Sequence, residues 1–318
     1  MIVTLTLNPA IDQSAEAAAI APDIKIRCEA LRSEAGGGGI NVSKALKRLD
    51  TDSTAVFPSG GGNGPLFNQL LQDLAIRTAP VPMAGSLREN LSVTDRHSGM
   101  QYRFILPSPT LSRAEADACL EQIRALKPSI LVASGSLPDG LPADFYREVA
   151  ECARQLEARF VLDTSGKALR EGLASGAYLI KPNLAELSAL AGVDQLEINQ
   201  VDDAALELVR KGYCEVMVVS LGPQGALLVT ADHFEHIPAP MVKPVSTIGA
   251  GDSMVAGMVW GMSQGMSLSQ MAAFGVACGS AATITPGSEL FHAADARRLY
   301  GWLQTYGQRY RLDKKAFD

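Results

Sequence analysis

Pro244-Val-Ser-Thr-Ile-Gly-Ala-Gly-Asp-Ser-Met-Val-Ala-Gly-Met-Val-Trp260 is a glycine turn that runs straight into an apolar helix. Gly249 and Gly251 permit positive φ and close approach of a ligand, and Met254, Val255, Met258, Val259 and Met262 then recur at helical spacing. Gly249, Ala250, Gly251 and Asp252 therefore stand at a helix N-terminus, where N–H groups and the positive end of the helix dipole make an anion site. Asp252 puts a carboxylate beside it. A base next to an anion hole suits transfer of a phosphoryl group to a hydroxyl: the base takes the hydroxyl proton while the N–H groups hold charge on the transferring phosphate. A glycine turn with Asp252 as a plain dipole partner is the structural alternative for this stretch alone.

Outward from the turn, the chain alternates apolar runs with amphipathic segments. Helices over 113–126, 144–156, 166–173 and 202–211 precede strands over 130–133, 159–162, 178–180 and 216–219. This βα rhythm implies an α/β fold with a mostly parallel sheet covered by helices on both faces. The strands end in Ser134-Gly-Ser-Leu-Pro138, Asp163, Lys181-Pro-Asn183 and Ser220-Leu-Gly-Pro-Gln-Gly225, so these small and polar motifs share the ligand-binding edge. A hairpin over 226–237, a helix over 268–283 rich in Ala and Gly, and a last helix over 293–306 complete the body, with a polar tail over 307–318.

The first third is less regular. A buried strand over 1–7 stops at Asn8-Pro9, and Asp12 follows in what reads as a loop. Residues 24–31 alternate apolar and polar, which predicts a half-exposed strand with Lys25 and Arg27 on one face. Gly36-Gly-Gly-Gly-Ile-Asn41 opens a helix in which Val42, Ala45, Leu46 and Leu49 share a face. Its bare backbone and Asn41 suit the reading of sugar hydroxyls. A strand over 53–57 and a helix over 66–74 follow, then a hairpin over 89–95 and 101–106 with Arg88 and Arg103 near its ends. Four cations on two strand-like insertions suit a phosphate, although any one of them also serves as a solvated edge charge.

The chain has 318 residues, 47% hydrophobic, with a net charge of −6, which argues against a nucleic-acid partner. Cys28, Cys119, Cys152, Cys214 and Cys278 form no CxxC pair and read as reduced, small buried residues of a cytoplasmic protein. The four histidines are scattered and read as surface or loop residues. Nothing resembles a signal peptide or a membrane span.

Asn183-Leu-Ala-Glu186 puts two oxygen ligands at a helix start, as magnesium beside bound phosphates would need; a capping box explains the same spacing. Together with Thr6-Leu-Asn-Pro-Ala-Ile-Asp12, the glycine run and Thr247-Ile-Gly-Ala-Gly-Asp252, these motifs resemble the ribokinase-like sugar kinases, in particular their phosphofructokinase B branch, over residues 1 to about 305. The resemblance implies a three-layer α/β sandwich forming one kinase domain over 1–318, with β insertions over about 11–34 and 86–107 that build a lid and a homodimer interface.

It also implies roles. Asp252 is the base, and Gly249, Ala250 and Gly251 are the anion hole. Asp12, Gly37, Gly38 and Asn41 hold the sugar; Arg88, Arg103 and Ser136 hold a phosphate already on it, with Lys25 and Arg27 nearby or reaching to a second subunit. Lys181, Asn183, Ser220, Gly222, Gly225 and, more weakly matched, Ser280 bind ATP. Asn183 and Glu186 place Mg2+, and carbonyls of Ser246, Ile248, Ala282, Thr285 and Gly287 hold a monovalent cation, K+. Ser246, Thr285 and Glu289 depart from the pattern of many members around that cation. The activity implied is ATP-dependent phosphorylation of fructose 6-phosphate at its C1 hydroxyl. Fructose 1-phosphate or tagatose 6-phosphate is the alternative substrate, and a sensor of nucleotide or sugar is the alternative class; retention of Asp252 beside the glycines speaks against a sensor. A dinucleotide-dependent dehydrogenase lacks the GxGxxG after the first strand.

Overall fold

The computed structural model describes residues 1–287 and 289–306. The tail over 307–318 lies outside the described residues. In chain order the elements are β1 (Ile2–Leu5), β2 (Ala10–Ala17), β3 (Cys28–Gly36), α1 (Gly38–Arg48), β4 (Ser53–Gly60), α2 (Gly64–Asp73), β5 (Arg77–Met83), β6 (Arg88–Asp95) and β7 (Gln101–Ile105). The regular part follows with α3 (Arg113–Leu126), β8 (Ile130–Ser134), α4 (Phe145–Gln155), β9 (Arg159–Asp163), α5 (Gly166–Gly172), β10 (Ala177–Ile180), α6 (Leu184–Ala191), α7 (Val201–Arg210) and β11 (Cys214–Ser220). The chain then runs through β12 (Ala226–Val229), β13 (Phe234–Ile237), α8 (Ala250–Ser263), α9 (Leu268–Thr283) and α10 (Ala293–Tyr306).

Two sheets result. The larger has the order β13-β12-β11-β10-β9-β8-β1-β4-β5, parallel from β11 to β5 and antiparallel at β12 and β13. Its central strands are buried on both faces, as a covered parallel sheet requires. One apolar layer joins it to α2 through α7, with Phe57, Phe67, Phe145 and Tyr146 fully buried; the other joins it to α1, α8, α9 and α10. The α8–α9 contact is close because of glycine: a Cβ at Gly257 would lie 2.8 Å from Cys278 Sγ.

The smaller sheet, β3-β2-β6-β7, corrects the expected boundaries. Asp12 sits in β2, not in a loop, since β2 pairs in parallel with β6 and antiparallel with β3. The strand expected over 24–31 begins at Cys28, and Lys25 and Arg27 lie in the exposed loop before it. β5 was unexpected. Cys28 is exposed rather than buried, and His236 lies in β13, with its Nε2 2.9 Å from the Gln224 carbonyl. The other cysteines are free and buried. Among the described residues no helix is long and apolar enough to cross a membrane.

Packing reaches the site through Tyr146, fully buried, whose hydroxyl donates to the Gly135 carbonyl at 2.8 Å. That bond pins the turn carrying Ser136. Tyr146→Phe keeps the ring and takes the donor from the half-buried Gly135 carbonyl, so it should cost about 1 kcal/mol and lower Tm by a few degrees. A calorimetric scan showing an unchanged Tm would mean the bond does not hold the turn.

Candidate active site

The end of β9, through Asp163, the residue just past β10, Lys181, and helix α1, through Asn41 and Lys44, meet Asp252 at the start of α8. Gly249 caps α8 in the left-handed region at φ 71°, where an added Cβ would also lie 2.6 Å from Leu290. This turn leaves the N–H groups of Gly251 and Asp252 with no intrahelical acceptor. The Asp252 carboxylate accepts from Asn41 Nδ2 at 2.8 Å, which joins the start of α1 to the start of α8. Burial pushes the Asp252 carboxyl up to about 7, with the charge of Asp163 adding to the rise. The Asn41 bond, Lys181 and Lys44 oppose it. A base poised near neutrality accepts a proton readily without being blocked by one.

Lys181 is buried, and its Nζ lies 3.3 Å from Asp163 Oδ1. A Cβ on Gly251 would be 3.5 Å from the same Nζ. Burial alone would lower the Lys181 pKa, but Asp163, Glu186 and Asp252 outweigh it, so the pKa stands above the ordinary lysine value and the ammonium stays charged. Lys181 thus stands beside the base, at the glycine turn. Asp163 also accepts from Ser134 Oγ at 3.2 Å.

On the sugar side, Gly37 holds φ 113°, and a Cβ there would lie 2.7 Å from Thr6 Cγ2. Its carbonyl accepts from Asn41 N–H at 2.8 Å as α1 begins with Gly38. Asp12 accepts from Asn90 Nδ2 at 2.7 Å; burial raises its pKa against that bond and against Lys44 and Arg88. Lys44 in turn bonds Glu34 and the Ala35 carbonyl, tying α1 to β3. Arg88 donates to the Asn8 carbonyl at 3.4 Å, and burial lowers its pKa against the pull of Asp12. Asn8 also reaches Ser136 Oγ at 3.1 Å.

Arg103 stands apart from that group. It pairs across from Ser92 while Arg88 pairs across from Ala10, so the two are about 13 Å apart along β6. Arg103 lines a separate cavity of 680 Å³ with Arg32, Ser246 and Gly287. Lys25 and Arg27 are exposed and do not line it.

Beyond the glycine turn lies a cavity of 630 Å³ lined by Ser220, Gly222, Gly225 and Ser280, by apolar Met254 and Val276, and by Ala250 and Gly251 at its inner end. Its size and apolar lining suit a nucleoside, and its inner end meets the anion hole. Asn183 and Glu186 form the reciprocal capping box of α6, each accepting from the other's backbone N–H at 2.9 Å. Burial raises the Glu186 pKa, with the Asn183 N–H and Lys181 opposing. Among the described residues no three His, Cys, Asp or Glu side chains gather as a metal cage.

The loops carrying Ser246, Ile248 and Thr285 to Gly287 are locked together. Ser246 Oγ donates to the Gly287 carbonyl at 2.9 Å, and the Thr283 carbonyl accepts from Val245 N–H at 2.7 Å and Ser246 N–H at 3.1 Å. The Ala282 carbonyl accepts from Ile284 N–H and from Thr285 N–H, the latter at 3.2 Å.

Asp163, Asn90 and Lys44 were missed as site residues. Lys44 had a signal, three residues after Asn41 on one helical face. Asp163 had one too, at the end of a strand on the ligand edge. Asn90 had none, since its meeting with Asp12 depends on strand register.

Comparison with known proteins agrees with this fold. The chain is 42% identical over 304 residues to the ATP-dependent 6-phosphofructokinase isozyme 2 of Mycobacterium tuberculosis, covering 94% of this chain and 88% of that one. It is 34% identical over 282 residues to the 1-phosphofructokinase of Bacillus subtilis, covering 88% and 92%. The crystal structure of phosphofructokinase-2 from Escherichia coli in complex with potassium has a TM-score of 0.92 at 41% identity, covering 95% of this chain and 99% of that one. The same protein has been solved with fructose-6-phosphate, with a TM-score of 0.90 at 40% identity and coverage of 95% and 99%. Residues 3–292 match the profile of the pfkB family carbohydrate kinases, and on that span, from the first strand to the threshold of the last helix, the chain belongs to the family.

Proposed function

We propose that the protein is an ATP-dependent 6-phosphofructokinase that phosphorylates the C1 hydroxyl of fructose 6-phosphate. The observation that carries this is the Asp252 carboxylate, tuned to about 7, between the Asn41 side of the sugar cleft and the inner end of the nucleotide cavity. The 42% identity to a 6-phosphofructokinase supports the choice of sugar. Asp12, Asn41, Gly37 and Gly38 hold the ring hydroxyls, and Arg88 and Ser136 hold the existing phosphate. Ser220, Gly222, Gly225 and Ser280 seat the nucleotide.

The C1 oxygen attacks the γ-phosphorus as Asp252 takes its proton, and the bond from that phosphorus to the β,γ-bridging oxygen breaks, leaving ADP. The N–H groups of the glycine turn and the Lys181 ammonium hold charge on the transferring group. Glu186 and Asn183 would hold magnesium, which would neutralise charge on the phosphates. The carbonyls of Ser246, Ile248, Thr285 and Gly287, on two interlocked loops, with that of Ala282 in the last turn of α9, would hold potassium, which would brace the anion hole from behind.

We further read the chain as one domain whose small sheet is a lid and dimer surface. Leu31 and Phe104 point to the sheet face away from Asp12 and are 65% and 50% exposed, as a surface awaiting a second copy would be. Lys25 and Arg27 would then reach the partner subunit's sugar. Free thiols suit a cytoplasmic enzyme.

The test is kcat/KM with ATP on fructose 6-phosphate, fructose 1-phosphate and tagatose 6-phosphate, with and without potassium. Fructose 6-phosphate should lead. A preference for fructose 1-phosphate overturns the choice of substrate.

A further inference from the structure

One buried amide joins three segments that are far apart in sequence. Asn8, just past β1, is 3% exposed. Its Nδ2 donates to Ser108 Oγ at 2.8 Å, on the segment leaving β7, and to Ser136 Oγ at 3.1 Å, on the turn after β8. Its backbone carbonyl accepts from Arg88 Nη2 at 3.4 Å. Asn8 Oδ1 and Arg88 Nε are buried with no hydrogen-bond partner among the described residues.

The direction of these bonds matters. An amide nitrogen that donates both hydrogens to hydroxyl oxygens leaves each hydroxyl its own proton to give. Two O–H donors and a guanidinium then face one place. A phosphate monoester accepts and never donates when ionised, so it complements this set, whereas a neutral hydroxymethyl would leave the guanidinium uncompensated.

We propose that Ser108 is a further ligand of the phosphate on the sugar and that Asn8 is a positioning residue that orients Ser108, Ser136 and Arg88 toward it, so that this cluster sets the preference for phosphorylated over free sugar. The inference rests on the functional reading above and deepens it. The pair Asn8 and Ser108 acts on selectivity and leaves the chemistry to Asp252.

The test compares the ratio of kcat/KM for fructose 6-phosphate to that for unphosphorylated fructose, using the full chain with saturating ATP. Ser108→Ala removes one donor to a charged group and should lower the ratio about tenfold. Asn8→Asp keeps the shape but turns donor into acceptor; it takes up both hydroxyl protons and repels the phosphate, and should lower the ratio about a hundredfold, mainly through KM for the phosphosugar. A structural role would depress both sugars in parallel. An unchanged ratio in Ser108→Ala, which alters a half-buried surface residue and tolerates folding, overturns the proposal even if Asn8→Asp fails to fold. If the wild type prefers fructose 1-phosphate or tagatose 6-phosphate, the functional reading loses its sugar while the same ratio, taken on that phosphosugar, still decides the subsite. A wild type inactive on all three phosphosugars overturns both.

Discussion

Asp252→Asn should lower kcat by about three to four orders of magnitude while ATP still binds. The amide keeps the shape of the carboxylate and can still accept from Asn41, but it cannot take a proton. The wild-type pH profile carries the second half of the expectation. Burial sets the Asp252 carboxyl at about 7, so kcat/KM for the phosphosugar should rise with pH through about 7 as the base loses its proton. The residual rate of the variant should lack that limb.

Stability separates this from misfolding. The Asp252 pKa is higher in the folded chain than in the unfolded one, so ionising it opposes folding. That cost is absent below about pH 4, grows as the pH rises towards the folded value and is complete above it. The Asn variant should therefore melt no lower than the wild type at pH 8 while being nearly inactive. A variant that kept near-full rate would dismiss Asp252 as the base; one that lost both rate and Tm would assign the residue a structural part.

The base and its turn could be read from Gly249 to Asp252 because both the anion site and the helix that makes it are local. The parallel core was readable for the same reason: β8 to β11 are short apolar runs between amphipathic helices, and each helix and strand boundary is set by its own residues. Two strands escaped. β5 reads Arg-Thr-Ala-Pro-Val-Pro-Met, and two prolines argue against a strand, yet β5 is the edge of the larger sheet, where missing N–H donors cost little. β2, with Ala, Glu and Gln, has weak β-propensity and is held by pairing on both sides. The pairing of Lys181 with Asp163, eighteen residues earlier, was not legible, because it depends on how the ends of β9 and β10 lie side by side. Arg103 was grouped with Arg88 by their places near the hairpin ends and by the family resemblance, and the register sets them about 13 Å apart along β6.

Lys181→Met should be the most damaging change to stability within the site. The ammonium stands among three carboxylates, those of Asp163, Glu186 and Asp252, with Lys44 adding its charge at Asp252 alone, and it is buried with Asp163 at 3.3 Å. Removing one partner of a buried pair leaves the other without compensation, at a cost of about 3–5 kcal/mol, or roughly 10 °C in Tm. Lys181 also holds the Asp252 pKa down, so the acid limb of the activity profile should move to higher pH and the maximal rate should fall with the loss of a charge facing the transferring phosphate. The sign with pH follows. The folded pKa of Lys181 is raised, so its own stabilisation is fully present below the unfolded lysine value and is lost only as pH climbs through the folded one; it is constant between pH 6 and 9 by this term. Asp252 supplies the variation instead: as pH falls it takes up a proton and no longer needs the ammonium, so the Tm deficit of Lys181→Met should narrow toward pH 5. Adding Asp163→Asn should recover much of the lost Tm, because it removes the stranded charge, but not the rate. A double variant as unstable as the single one would show that the pair is not what Lys181 contributes to the fold.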